Sequence, residues 1–295
     1  MIRKKSPIWD IILISAFLLT FVSFLLLANN IFHPVSYSLI KPANLQNDQY
    51  DSTLVKLNTM SKLEAYCDSM FSANQSTKTY PGIVADVMRK KFYHGYSYYD
   101  MSSNPLAVLF APIVKNGAEA VVIPSDIVKY PMAACSQQSI VGMQLLRRKG
   151  YNVRKVAMWD SINKVGHFTF EAYYDNGWHY FDTNLEPDTE ILREYKRPSV
   201  DYLARHPDIA MEAYRNSKDA AMLTRLIESY KTGPVNKFPA PNAYLYQVVL
   251  KYIGYFAWIF ILLVIVLRYK FQYKRKQAYK RENKHQKGFA YSALS

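Results

Sequence analysis

What this 295-residue chain lacks narrows its chemistry first. It has two cysteines, Cys67 and Cys135, too few for a disulfide-dense scaffold or a four-cysteine zinc site. One bridge between the two remains open. No Cys/His group has metal-ligand spacing, and with ten glycines there is no glycine-rich loop to cradle a phosphate. No cofactor and no metal are therefore expected. Basic charge is missing from the middle of the chain. The formal net charge is +14, but Arg268–Lys287 carries nine Lys/Arg against one Glu, and Arg3, Lys4 and Lys5 add three more, which leaves +3 for everything else. A nucleic-acid-binding face needs its positive charge on the folded part, so nucleic acid is not an expected partner.

Two apolar runs lie between those basic tails. Residues 8–28 read IWDIILISAFLLTFVSFLLLA, and the uncharged part, Ile11–Ala28, is 18 residues long, near the length a bilayer core requires. The run is long for a signal-peptide core, and LLLANN offers no small-x-small cleavage site, so an uncleaved anchor is expected. The second run, 244–267, ends in YIGYFAWIFILLVIVL. Lys251 can snorkel, and Tyr244, Tyr246, Tyr252 and Tyr255 supply an aromatic belt. Basic residues flank the outer end of each run. The positive-inside rule then puts both termini in the cytoplasm and residues of about 30–242 outside it. The C-terminal tail suits anionic lipid headgroups. The predicted organisation is a cytoplasmic N-terminus 1–7, a span 8–28, a stalk 29–50, an extracytoplasmic domain 51–231, a linker 232–243, a span 244–267 and a basic cytoplasmic tail 268–295.

Within the domain, Leu54, Leu57, Met60, Leu63, Cys67, Met70 and Phe71 recur at helical spacing, which puts Cys67 on a buried stripe as an inert thiol. Tyr80-Pro81 opens a second helix that ends near Gly95. The aromatic cluster around Tyr96 suits either core packing or a substrate groove. Beyond the centre, Ser199 is placed to cap a helix over 200–205, Pro207 starts another, and Ala221, Met222, Leu226 and Ile227 mark one over 218–230.

The chemistry lies in residues 133–182. Ile140, Val141, Leu145 and Leu146 predict a buried helix stopped by Gly150, and Tyr130-Pro131 keeps the chain non-helical before Ala133. Cys135 then falls in the helix's first turn, where free N–H groups and the positive end of the dipole favour a thiolate. Strands follow over 151–159 and 166–174, then a hairpin turn signal at Asp175-Asn176-Gly177 and a returning strand over 178–182. A two-residue turn pairs odd with even positions, so His167 and Asp182 point to one face. With the turn at Asn176-Gly177, Asp182 stands opposite Glu171, two pleats from His167, and a longer or bulged turn, or a bend in the strand, is needed to bring the pair together. Glu171 is the rival partner, and reads better as a solvated strand residue. Once paired, His167 takes the thiol proton and Asp182 orients the imidazole. The Cys135 N–H supplies one oxyanion donor, and neither Gln137 nor Gln138 stands out as a second.

AACSQQS, LLRRKGYNVRKV, GHFTFEAYYDNGW and HYFDTN, in that order, resemble the transglutaminase-like core, a branch of the papain-like cysteine enzymes. The likeness covers 50 to 60 residues at positions 133–184. It implies an α+β fold, a Cys-bearing helix packed on an antiparallel sheet, with Cys135, His167 and Asp182 as a catalytic triad. Gly150 matches the turn between helix and strand, and Trp178 the hairpin aromatic. Ala134 stands where such domains often have Gly, and Asp182-Thr183-Asn184 where they often have Asp-Pro-Thr. The implied activity is thiol attack on an amide or peptide carbonyl through a thioester, with hydrolysis of cell-envelope peptides or proteins favoured over crosslinking. The alternative is an inactive module that binds envelope peptides or a membrane partner.

Overall fold

The computed structural model describes residues 8–33, 49–74, 79–114, 117–161, 164–217 and 219–292, with side chains up to 281. Basic residues 3–5 and most of the expected stalk lie outside these. The chain divides into two units, one formed by 1–34, 100–110 and 248–295, the other by 35–99 and 111–247.

The first unit contains the helix α1 (Ile8–Phe32), and two helical stretches long and apolar enough to cross a membrane lie at Ile8–Phe32 and Pro241–Arg281. Their apolar side chains stay open, unlike those of a soluble core helix: Ile11 is 61 % exposed and Phe260 68 %. The helices run antiparallel. Asp10 pairs with Arg268 at 2.8 Å. Further along, Trp258 meets Phe21 edge-on, with ring centres 5.4 Å apart. A Cβ on Gly254 would stand 2.8 Å from Ser23 Oγ and 2.9 Å from Leu27 Cδ1, so glycine is what permits this approach.

The second unit is α+β. After a 3-10 turn (Ser52–Lys56) come α2 (Met60–Asn74), α3 (Tyr80–Lys91), α4 (Pro105–Val114, shared with the first unit), α5 (Pro124–Ile127) and α6 (Cys135–Arg148). Strands β1 (Asn152–Asp160), β2 (Val165–Tyr174) and β3 (Gly177–Phe181) follow, then α7 (Thr189–Glu194), α8 (Val200–Arg205), α9 (Pro207–Ala213), α10 (Ala220–Glu228) and β4 (Lys231–Thr232). The antiparallel sheet has the order β3-β2-β1-β4. Several starts follow from the local sequence. Thr79 caps α3 by accepting the Gly82 N–H, with proline in the first turn, and Ser199 caps α8 through the Tyr202 N–H.

Both faces of the sheet are covered. On one, α6 sits so close to β2 that a Cβ on Gly142 would lie 3.1 Å from the Phe170 ring, which itself stacks on Phe181 at 5.7 Å. Phe170 and Phe181 are fully buried, roughly 2–3 kcal/mol of transfer free energy each. On the other face, Val156, Met158 and Tyr180 join Leu192, Leu203 and Leu226 from α7, α8 and α10 in one apolar cluster. This second layer overturns the solvated reading of Glu171. Its carboxylate is fully buried, 2.6 Å from Arg154 Nε, and accepts the Val200 N–H at 2.8 Å.

The expected linker also differs. Gly233 N–H donates to Lys155 O and Asn236 N–H to Val153 O, so this stretch seals the edge of β1. The helix α11 begins at Pro241 and continues to Ser292, through the basic tail. Its Gln247 belongs to the second unit, where the side chain donates to Ala118 O and Ala120 O and accepts the Val122 N–H.

Candidate functional site

The start of α6 is held by one side chain. Ala134, extended at φ −68° and ψ 164°, offers no cap of its own. Gln137 supplies it, accepting the N–H groups of Ala134 and Ser97 and donating to Ser97 O and Val121 O. With four hydrogen bonds made, Gln137 has nothing left for a ligand. Gln138 is buried and donates to Ala133 O. Ser139 Oγ donates to Phe168 O at 3.1 Å, pinning the second turn of α6 to the start of β2, where His167 stands.

Cys135 is half-buried and lines a cleft of about 1300 Å³ together with His167. Both cysteines are free, so no bridge joins them. Cys67 is fully buried, and burial, then the charges of Asp68 and Glu64, push its thiol up to about 12. It is an inert core residue.

The hairpin register brings His167 and Asp182 together. Its turn is Asp175-Asn176, both at positive φ (45° and 59°), not Asn176-Gly177, because two consecutive left-handed residues match the twist of a two-residue hairpin. Tyr174 therefore faces Gly177, and Glu171 faces Tyr180. Continuing that ladder sets Asp182 across from Thr169, a diagonal neighbour of His167 rather than two pleats away. His167 Nε2 lies 2.5 Å from Asp182 Oδ2, with no bulge.

Asp182 is fully buried and its carboxylate is met on all sides. Oδ1 accepts the N–H groups of Asn184 and Leu185, each at 2.9 Å, and Oδ2 accepts the Tyr214 hydroxyl at 3.2 Å besides His167. The Asp182 N–H donates to Glu186, which pairs with Arg197 and lies 3.7 Å from Arg89. Burial pushes the Asp182 carboxyl up. The His167 charge and hydrogen bond, then the two backbone N–H groups, outweigh this and hold it below the usual carboxylate value. Burial likewise pulls the His167 imidazole down. The Asp182 charge and hydrogen bond, with a hydrogen bond and charge from Cys135, outweigh it and push the imidazole up to about 10. With Nε2 committed to Asp182, Nδ1 is the ring nitrogen left for the thiol.

Three features escaped the sequence reading. Tyr214 lies 32 residues from Asp182 at the end of α9, with no local signal to join them. The Arg89–Glu186–Arg197 group depends on how α3 meets the loop after β3. His94 lines the cleft, yet the aromatic run around it does not: Phe92 and Tyr99 are buried in packing, while Tyr96 and Tyr98 are exposed outside it. Among the described residues, no group of three His, Cys, Asp or Glu side chains could hold a metal ion. Neither a family model, nor a curated protein, nor a solved structure matches this chain.

Proposed function

We propose that the chain is a membrane-anchored thiol enzyme whose catalytic domain resembles the transglutaminase-like group and cleaves amide bonds of peptides or proteins. One observation carries the reading. A free, half-buried cysteine at a helix start lines one cleft with an imidazole that a buried carboxylate holds at 2.5 Å. Burial alone would discharge that imidazole, and the carboxylate is what keeps it basic.

The residues divide the reaction among them. The Cys135 thiolate attacks the carbonyl carbon; a C–S bond forms and the π electrons move onto the carbonyl oxygen. As that electron pair returns, the C–N bond breaks and His167 protonates the departing amine. Water then attacks the thioester with His167 as base, which releases the acid and restores the thiol. Asp182 stays ionised throughout and holds the ring.

The two apolar helices anchor this domain. Antiparallel packing of α1 and α11 supports a topology with both basic tails on one side, and the basic run on α11 supports taking that side as the cytoplasm, against anionic headgroups. The domain then faces cell-envelope substrates. Treating the full chain with a limiting amount of iodoacetamide, followed by peptide mass spectrometry, tests the reading. Cys135 is alkylated and Cys67 is not, and His167→Ala suppresses the reaction. Equal labelling of both cysteines, or no effect of His167→Ala, refutes it.

A further inference from the structure

Stabilising a carbonyl oxygen as it gains charge takes more than one donor in most acyl-transfer sites, and the triad provides one at most. The Cys135 N–H heads α6 with no acceptor among the described residues. Gln137, the nearest amide, is used up in capping that helix. Among the side chains that line the cleft, His94 stands on a segment tied by its backbone to the approach to Cys135.

Its placement follows from a backbone bridge. Tyr93 N–H donates to Pro131 O, and Tyr93 O accepts the Ala133 N–H, both at 2.9 Å. This tie holds the residue after Tyr93 beside the segment that runs into Cys135. The His94 ring is exposed to the cleft that Cys135 and His167 also line, and no role in the triad is left for it. Crowding by protein atoms and then the His167 charge pull His94 below the ordinary histidine value, against a smaller opposing effect of Asp182. A neutral ring keeps one N–H to donate and does not compete with His167 for its positive charge.

We propose that His94 is a further catalytic residue, its ring N–H donating, with the Cys135 N–H, to the substrate's carbonyl oxygen as thiolate attack makes it an oxyanion. This rests on the thiol-enzyme reading above. No proton changes hands at His94. The oxygen takes the π pair when the C–S bond forms and returns it when the C–N bond breaks, and the two donors hold it between those events.

Two reagents separate this role from activation of the thiol. Iodoacetamide alkylates a thiolate with no oxyanion, whereas p-nitrophenyl acetate must pass through one. Both rates are measured at the Cys135 peptide of the full chain in detergent, for the native sequence, His94→Ala and His94→Gln. His94 is exposed, so neither variant empties a packed site. In His94→Ala, acylation falls ~10²-fold while alkylation stays within about threefold, and His94→Gln, which retains an N–H, recovers part of the loss. Acylation that does not change, or both rates falling in parallel, overturns the role of His94 and leaves the triad standing. A native Cys135 that alkylates no faster than Cys67 overturns both proposals.

Discussion

Replacing Asp182 with asparagine changes one charge and almost no volume. Oδ1 would go on accepting the Asn184 and Leu185 N–H groups, and the Tyr214 hydroxyl can turn to Tyr180 Oη, already 3.0 Å away, so the fold should survive. The change falls on His167. An amide NH2 now faces Nε2, which must accept a hydrogen bond and give up its proton. The proton moves to Nδ1, the nitrogen left for the thiol, and the ring no longer takes the thiol's proton. The magnitude follows from burial: Asp182 is fully buried and the His167 side chain is 7 % exposed, so little screening applies. Two unit charges about 4 Å apart interact by ~4 kcal/mol at an effective dielectric of ~20, equivalent to ~3 pKa units. The new amide bond offsets part of this, since a net hydrogen bond contributes about 1 kcal/mol. The fraction of Cys135 held as an ion pair, and with it the alkylation rate near neutral pH, should fall between ~10-fold and ~10³-fold. The assay is the rate of Cys135 alkylation from about pH 5 to pH 9 by mass spectrometry, with Cys67 as internal reference. A folded Asp182→Asn chain with the native rate and profile would falsify the coupling of Asp182 to the thiol through His167.

Stability should depend on the same pair. The raised His167 contributes stability fully below its ordinary 6.5, and this is lost as pH rises through about 10; the lowered Asp182 contributes above its ordinary 3.8, and this is lost as pH falls through its folded value. Thermal unfolding of the full chain in detergent should be highest between those two ordinary values and decline on both sides, and Asp182→Asn should flatten both declines. Glu171→Gln should lower the unfolding midpoint by an equivalent of ~1–3 kcal/mol, because Arg154 loses its buried counter-charge while the Val200 N–H keeps its acceptor; an unchanged midpoint would contradict the buried pair. Gly254→Leu should drive α1 and α11 apart, since even a Cβ there would crowd Ser23 and Leu27. The measurement is disulfide trapping between cysteines introduced at Phe21 and Trp258, which should form readily beside Gly254 and poorly beside leucine.

Much of this protein was legible in its sequence because composition and periodicity act locally. Two apolar runs of bilayer length need no tertiary context to be recognised, and the heavily exposed α1 and α11 are what such runs form. The helix after Cys135, the paired strands, the Ser199 cap and the common face of His167 and Asp182 follow from spacing, turn chemistry and the two-residue period of a strand. Distance did not follow. Moving the turn by one residue, to Asp175-Asn176, shifts the pairing by two and turns a separation of two pleats into a 2.5 Å contact. Burial of Glu171 could not be read from β2, because the helices that cover it come later in the chain, and only their packing makes a second layer. Tyr214 on Asp182, the sealing of β1 by residues 233–236, and His94 beside the α6 start each join segments far apart in sequence. The sequence by itself determined which groups exist and which face each one takes. Tertiary structure decided which of them touch, because contact depends on register and packing between elements, and no local pattern encodes either.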